Sequence, residues 1–353
     1  MIVRGEKMSD SKYYDGTKLL SLLDINGKKP EIYICTSNRT GGKTTYFARL
    51  LVNHFLKGNG KFCLLYRFNY ELTDCANKFF KVINELFFPD MVMAACNCAK
   101  GLYTELYLNN EPCGYAIALN GADKIKTYSH VFSDVKRMMF DEFQSETNHY
   151  CPDEVKKFIS VHTSVARGNG EQVRYVPVYM LSNPVSLINP YYVELGISDR
   201  LRTDTKFLKG DGFVLEQGYN EGAAAAQKES GFNRAFSKNS YVAYSAQAVY
   251  LNDRTAFIER VSGKNAYICT LKYKGAYYAV REYPEYGIVY CDNRPDLSYP
   301  IRITVTTEDH EINYVMLRNN DFLLSNLRFY FDHGVFRFKN LQCKEAIIKA
   351  LSY

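Results

Sequence analysis

Tryptophan is missing from this 353-residue chain, although Tyr occurs 30 times and Phe 22 times. That aromatic habit reads as the compositional bias of an AT-rich genome and carries no function. No run approaches the roughly 18 consecutive apolar residues of a membrane helix; the richest stretch, 86–96, is broken by Pro89 and Asp90. The opening residues, with Arg4, Glu6, Lys7, Asp10 and Lys12, lack the apolar core of a secretory signal. Neither a membrane nor an exported protein is expected. Cysteine is not scarce, at 10, yet no CxxC pair occurs and no His cluster accompanies the one close pair, Cys96-Asn97-Cys98. Zinc and disulfide frames are therefore disfavoured, and the thiols are expected to be reduced and mostly buried. No guanine-reading N-K-x-D string occurs, which speaks against a GTPase switch. Charge is nearly balanced: Lys plus Arg total 44 against 38 for Asp plus Glu, a net charge of +6. That excess is compatible with a nucleic-acid partner without demanding one.

What is present suffices for real cores. Apolar residues make up 46% and charged residues 23%, as in folded soluble proteins, and a length divided by about 150 residues per domain predicts two or three domains. From residue 31 to 195 short apolar runs alternate with helical stretches, the signature of a parallel α/β sheet. Residues 31–35 (EIYIC) read as a strand buried on both faces. Phe47, Leu50, Leu51 and Phe55 then recur at helical spacing until Lys57-Gly58-Asn59-Gly60 stops the helix. Residues 61–66 (KFCLLY) read as the next strand, 131–140 as an apolar run ending in Met138-Met139-Phe140, and 176–181 as the last clear strand. Between them, Pro152-Asp153-Glu154 opens a helix expected over 153–165. Residues 201–237 are Gly-rich and polar and read as a linker or connecting subdomain, with a short helix at its alanines. Beyond it strands are expected at 256–261, 266–273, 276–283, 287–291, 301–306 and 335–338, and helices at 317–331 and 341–351. The expected organisation is 1–200, 201–237 and 238–353.

The most informative stretch is Ser37-Asn38-Arg39-Thr40-Gly41-Gly42-Lys43-Thr44, followed by Thr45. It matches the end of the phosphate-loop pattern G-x-x-x-x-G-K-[ST], with Ser37 in place of the first Gly. Alone the match is weak; between an apolar strand and an amphipathic helix it becomes specific. There, backbone N–H groups and the helix N-terminus cradle the phosphates of ATP, and Gly41 and Gly42 let the backbone approach closely. Lys43 is expected to reach the β- and γ-phosphates and Thr44 to bind Mg²⁺. Asp141 and Glu142 end the 131–140 run, Asp141 placed to hold Mg²⁺ through water and Glu142 to orient the attacking water. Asn183, at the tip of the 176–181 strand, would sense the γ-phosphate or position water; the alternative is an Asn-Pro turn. Arg167, just past a helix, is a candidate arginine finger, with Arg174 as a rival and a solvated surface position as the alternative.

Phe140-Asp141-Glu142-Phe143, followed about 40 residues later by Leu181-Ser182-Asn183-Pro184-Val185-Ser186-Leu187-Ile188-Asn189-Pro190-Tyr191, resembles the DNA-packaging ATPases (encapsidation proteins, terminase large-subunit-like motors) of phi29-type small tailed phages. The resemblance runs over nearly the whole chain. It implies an additional-strand, RecA-like P-loop ATPase with a mostly parallel sheet, joined to an α+β C-terminal domain like an RNase H-type nuclease. It further implies a homo-oligomeric ring, expected to be a pentamer, in the host cytoplasm and transiently at the portal vertex of a procapsid, pumping double-stranded DNA inward. Its partners would be that DNA and the portal (connector) protein, with a structural RNA left open. Arg167 matches the family's trans-acting finger and Arg39 an arginine inside the loop; Ser37 and Thr40 depart from the family's glycines. No acid stands in residues 265–273, the strand that should carry a nuclease's metal-binding carboxylates, and Asp292, Asp309 and Asp332 are scattered, so cleavage is not expected. In a ring, the pore would be faced by the loop Asn120-Gly121-Ala122-Asp123-Lys124-Ile125-Lys126, with Lys124 and Lys126 on backbone phosphates and no base readout. Two alternatives remain: a helicase, since Asp141-Glu142-Phe143-Gln144 reads as DExQ, and a non-enzymatic DNA- or capsid-binding protein with a vestigial P-loop.

Overall fold

The structure, a computed structural model, describes residues 13–351 apart from 169, 199, 203, 239–241 and 243–255. Two units emerge. One is drawn from within 1–143, 156–184 and 204–249, the other from within 144–155, 185–203 and 250–353.

The first unit is built on nine strands: β1 Ile32–Ser37, β2 Lys61–Tyr66, β3 Met93–Cys98, β4 Tyr103–Leu108, β5 Glu111–Ala118, β6 Val135–Asp141, β7 Val178–Ser182, β8 Phe207–Gly210 and β9 Phe213–Gly218. Their order is β3-β4-β5-β2-β6-β7-β1-β9-β8. The six central strands, β5 to β9 in that order, pair in parallel, while β3, β4 and β8 add antiparallel edges. Parallel strands covered on both faces must be apolar throughout, and β1 and β2 are buried along nearly their whole length. The Lys43–Leu56 helix lays Phe47, Leu51 and Val52 on this sheet, in one cluster with Tyr33, Phe62 and Leu64.

Two departures from the sequence reading have a clear cause. Residues 207–218 are not a linker but the β8–β9 hairpin, turned at Asp211-Gly212 with Gly212 at φ +74°. β9 lies beside β1 in the sheet. Residues 93–118 supply three strands that were not expected. Their β4–β5 hairpin turns at Asn109-Asn110, both with positive φ, the twist a two-residue hairpin turn requires.

The second unit holds six strands, β10 Ala266–Tyr273, β11 Ala276–Tyr283, β12 Ile288–Asp292, β13 Arg302–Thr304, β14 Val315–Met316 and β15 Phe336–Phe338, ordered β14-β13-β10-β11-β12-β15. The helices Asp321–Asp332 and Leu341–Leu351 contribute Leu323, Leu327, Ala346 and Ile347 to a core with Leu271, Val280 and Val289. The strand expected at 256–261 is not formed; Phe257 makes one isolated bridge to Phe338. No helix among the described residues is long and apolar enough to cross a membrane.

Candidate functional site

β7 separates β1 from β6, so the C-terminal tips of the three strands stand side by side, Thr36 level with Ser182 and Asp141 with Leu181. Ligands of open parallel sheets are taken at such strand ends. The chain leaves β1 at Ser37 and enters the Lys43–Leu56 helix through Gly42, whose φ of +90° no ordinary residue holds without strain. Thr40 is also left-handed, at φ +62°, whereas Ser37 is not.

The loop is braced from outside. Tyr14 N–H donates to the Gly41 carbonyl (2.7 Å). Asn38, buried, accepts from Asn220 N–H (2.9 Å) and donates to the Asn220 carbonyl (3.2 Å), and Gln227 donates to Thr40 Oγ1 (3.3 Å).

Lys43 is buried beneath the loop. Its Nζ donates to Asn183 Oδ1 at 2.7 Å and reaches the Ser37 carbonyl at 3.5 Å. Burial pulls its ammonium below the usual lysine range, opposed by the carboxylates of Asp141 and Glu142. Burial likewise raises the Asp141 carboxyl, opposed by Lys43 and by a hydrogen bond from the Thr44 side chain. Glu142 N–H donates back to Asp141 Oδ1 (3.0 Å), and Glu142 itself is exposed in a left-handed turn, φ +55°. Thr44, Asp141 and Glu142 line a cavity of about 380 Å³ together with Tyr66, Arg67, Glu71 and Lys78. Lys43, Thr44, Asp141, Glu142 and Asn183 are thus brought to one place. Arg39 is half-buried in the loop and Thr45 half-buried in the helix's first turn.

The sequence reading gave Arg67 no role. Just past β2 and buried, it donates from one terminal nitrogen to the carbonyls of Glu142 (3.3 Å) and Phe143 (2.8 Å), holding the turn that carries the second acid. Its signal was a cation at the tip of a strand that neighbours the acid-pair strand.

Other expected residues lie elsewhere. Arg167 is exposed, and its side chain makes no hydrogen bond or ion pair among the described residues. Arg174, the rival, is buried and bonded to backbone carbonyls, which removes it as a finger. Lys124 and Lys126 are exposed, but their segment is no flexible loop. The short helix Ala122–Ile125 continues into the 3₁₀ turns Lys126–Phe132, pinned by buried Ala122, Ile125 and Phe132, and Lys126 pairs with Asp123 at 3.5 Å. Gln144 of the DExQ reading is buried, accepting from Ser186 N–H (2.9 Å) and donating to Tyr192 Oη (3.4 Å). Asn189 caps the Pro190–Glu194 helix, accepting from the N–H groups of Tyr191 and Tyr192 (both 3.1 Å). No three His, Cys, Asp or Glu side chains gather as a metal cluster among the described residues.

A model of the podovirus DNA encapsidation protein (Gp16) family matches residues 8–351. The DNA packaging protein of Bacillus phage phi29 is 27% identical over 337 residues, 94% of this chain and 95% of that one. The structure resembles the bacteriophage Phi-29 viral genome packaging motor assembly, with a TM-score of 0.53 and 24% identity over 96% of this chain and all of the other. It also resembles the Phi-28 gp11 DNA packaging motor, with a TM-score of 0.56 and 17% identity over 97% and 98%.

Proposed function

The chain belongs to the podovirus DNA encapsidation protein family, and from that premise we propose that it is an ATP-driven motor moving double-stranded DNA into a preformed capsid. The observation that carries the ATPase reading is the meeting of Lys43, Thr44, Asp141 and Asn183 at three adjacent strand tips. These residues fit a magnesium nucleotide: a buried ammonium and a helix N-terminus for the phosphates, a hydroxyl and a carboxylate already in hydrogen-bond contact for the metal. Residues Ser37 to Thr45, with Arg39 and Thr40 among them, wrap the phosphate chain. Thr44 and Asp141 would hold a magnesium ion, which would supply charge neutralisation on the phosphates of the nucleotide.

This chain's own groups do the rest. Glu142, exposed at the cavity, takes the proton of the attacking water, and Arg67 keeps its turn in place. Asn183, bonded to Lys43, would sense the γ-phosphate beside that lysine once ATP is bound. Arg167 serves a neighbouring copy in a ring, a pentamer by family likeness, and Lys124 and Lys126 meet the DNA backbone. The partners are double-stranded DNA and the portal protein; the place of action is the host cytoplasm and the procapsid's portal vertex. We read the C-terminal unit as RNase H-like without cleavage, since two of its three candidate acids, Asp292 and Asp309, are engaged in structure. Asp309 accepts from Lys274 N–H (2.7 Å) and Gly275 N–H (2.8 Å), and Asp292 from Arg294 N–H (2.6 Å), beside Arg281.

The test is protection of DNA from added nuclease by procapsids supplied with this protein and ATP. Wild-type protein is expected to protect full-length DNA, and Lys43→Ala none. Protection without ATP, or separation of the strands in place of protection, would overturn the reading.

A further inference from the structure

Two arginines lie seven positions apart on either side of one tight turn, and their environments are opposite. Arg167 is exposed at the end of the Glu154–Val165 helix, where Gly168 and Glu171 exchange backbone hydrogen bonds of 3.3 and 3.1 Å. Arg174 returns beneath it. Its N–H meets the Ala166 carbonyl at 2.6 Å, and its guanidinium is buried, with 4% of the residue exposed.

A buried guanidinium needs acceptors for its fixed fork of donors; here the two terminal nitrogens find main-chain carbonyls, while Nε has no partner among the described residues. Nη1 donates to Val135 (2.8 Å). Nη2 is turned to Val165 (2.5 Å), Phe132 (3.3 Å) and Arg167 itself (3.5 Å). Four places are tied by one side chain: the end of the helix, the carbonyl of the exposed arginine, the end of the Lys126–Phe132 turns, and the start of β6, the strand that ends in Asp141, just before Glu142. Gly168 adds a close fit, at φ +110° with Ser133 only 3.3 Å from where its Cβ would stand.

We propose that Arg174 is a positioning residue for Arg167: it fixes the turn from which Arg167 is presented to the nucleotide of a neighbouring copy. The inference rests on the reading of Arg167 as a residue acting in trans. Arg174 touches no substrate. It acts by holding the Arg167 main chain to the β6 framework, so that the finger arrives at the neighbour's γ-phosphate without searching; a misplacement of about 1 Å in such a group costs on the order of 100-fold in rate. Lysine is a poor substitute, since a single ammonium cannot span carbonyls that a planar fork reaches together.

The test is complementation between two defective subunits of the full chain, read as DNA-stimulated ATP hydrolysis. Arg174→Met keeps the apolar stem and its own ATP site but loses the clamp; Lys43→Ala keeps the clamp and the finger but loses its own ATP site. Each alone is expected to be nearly inactive, with the KM for ATP of Arg174→Met within about two-fold of wild type and its kcat down by about 100-fold. Mixed one to one, they should recover activity several-fold above the sum, because Lys43→Ala subunits lend correctly placed fingers to intact sites. Arg167→Ala mixed with Lys43→Ala is the reference. If that pair recovers and the Arg174→Met pair does not, the positioning role is wrong and the trans finger stands. If neither recovers while wild type hydrolyses ATP, the trans reading itself has failed and the proposal falls with it. Arg174→Lys is read in the same assay in case Arg174→Met does not fold; failure of both to fold would make Arg174 a general stability residue and also overturn the proposal.

Discussion

At the residue scale, the two departures from the family's glycine pattern are not equivalent. Ser37 sits outside the left-handed region, so a side chain there costs nothing in backbone strain, and its carbonyl is free to face Lys43. Thr40, β-branched at φ +62°, is a strained position that glycine would relieve. The strain is offset by hydrogen bonds from its hydroxyl to the Arg39 carbonyl (2.6 Å) and from Gln227 (3.3 Å). Comparing Thr40→Gly with Thr40→Ala removes the hydroxyl from both and isolates the backbone. Thermal unfolding should place the glycine variant about 1 kcal/mol above the alanine variant. Equal stabilities would mean that the loop relaxes when the side chain is lost.

At the element scale, strands that carry chemistry were legible because a strand buried on both faces is apolar without interruption, and because a glycine-rich turn before an amphipathic helix has few other uses. β1, β2 and β7 were readable for that reason, β6 from its apolar end Met138-Met139-Phe140 although Lys136 and Arg137 interrupt it, and β10 and β11 from their β-branched and aromatic content. The edge hairpins were not. β8–β9 carried an Asp-Gly turn signal but also enough glycine and charge to look like a connector, and the β4–β5 turn is Asn109-Asn110, a weaker signal than Asn-Gly. Asn220, which braces the loop from a distance, had no local pattern at all, since only the fold brings it in, and Arg67 had no more than its place at a strand tip.

One such brace is Glu216 on β9, buried and accepting from Tyr14 Oη at 2.6 Å, while Tyr14 N–H holds the phosphate loop. Burial raises the Glu216 carboxyl above the usual glutamate range. Its folded form therefore favours the proton, and the stability it contributes at low pH is lost as pH rises through that raised value. Glu216→Gln keeps an acceptor and removes the charge. It should raise the melting temperature near about pH 8 and bring no gain near about pH 4; a gain independent of pH would refute the burial account. The stretch from Ala122 to Phe132 offers a second test. Reversing both Lys124 and Lys126 to Glu should weaken DNA stimulation of ATP hydrolysis and flatten its salt dependence while sparing basal turnover. Undiminished stimulation would reject the DNA assignment.

At the scale of the whole molecule, the chain passes between its two units directly beside the chemistry. The first unit's stretches end at Phe143, one residue after Glu142, and at Pro184, one residue after Asn183. Within the second unit the two emerging segments are stitched together, Gln144 to Ser186, and Ser186 in turn accepts from buried Lys344 at 2.6 Å. ATP-driven packaging, as proposed, depends on Glu142 being the base that turns over a nucleotide held by Lys43. The direct measurement is phosphate release by the full chain with magnesium and double-stranded DNA, wild type against Glu142→Gln, alongside ATP binding by both. The account predicts equal binding and a fall in release of about 100-fold or more. Release by Glu142→Gln at the wild-type rate, or no ATP binding by either protein, would contradict it.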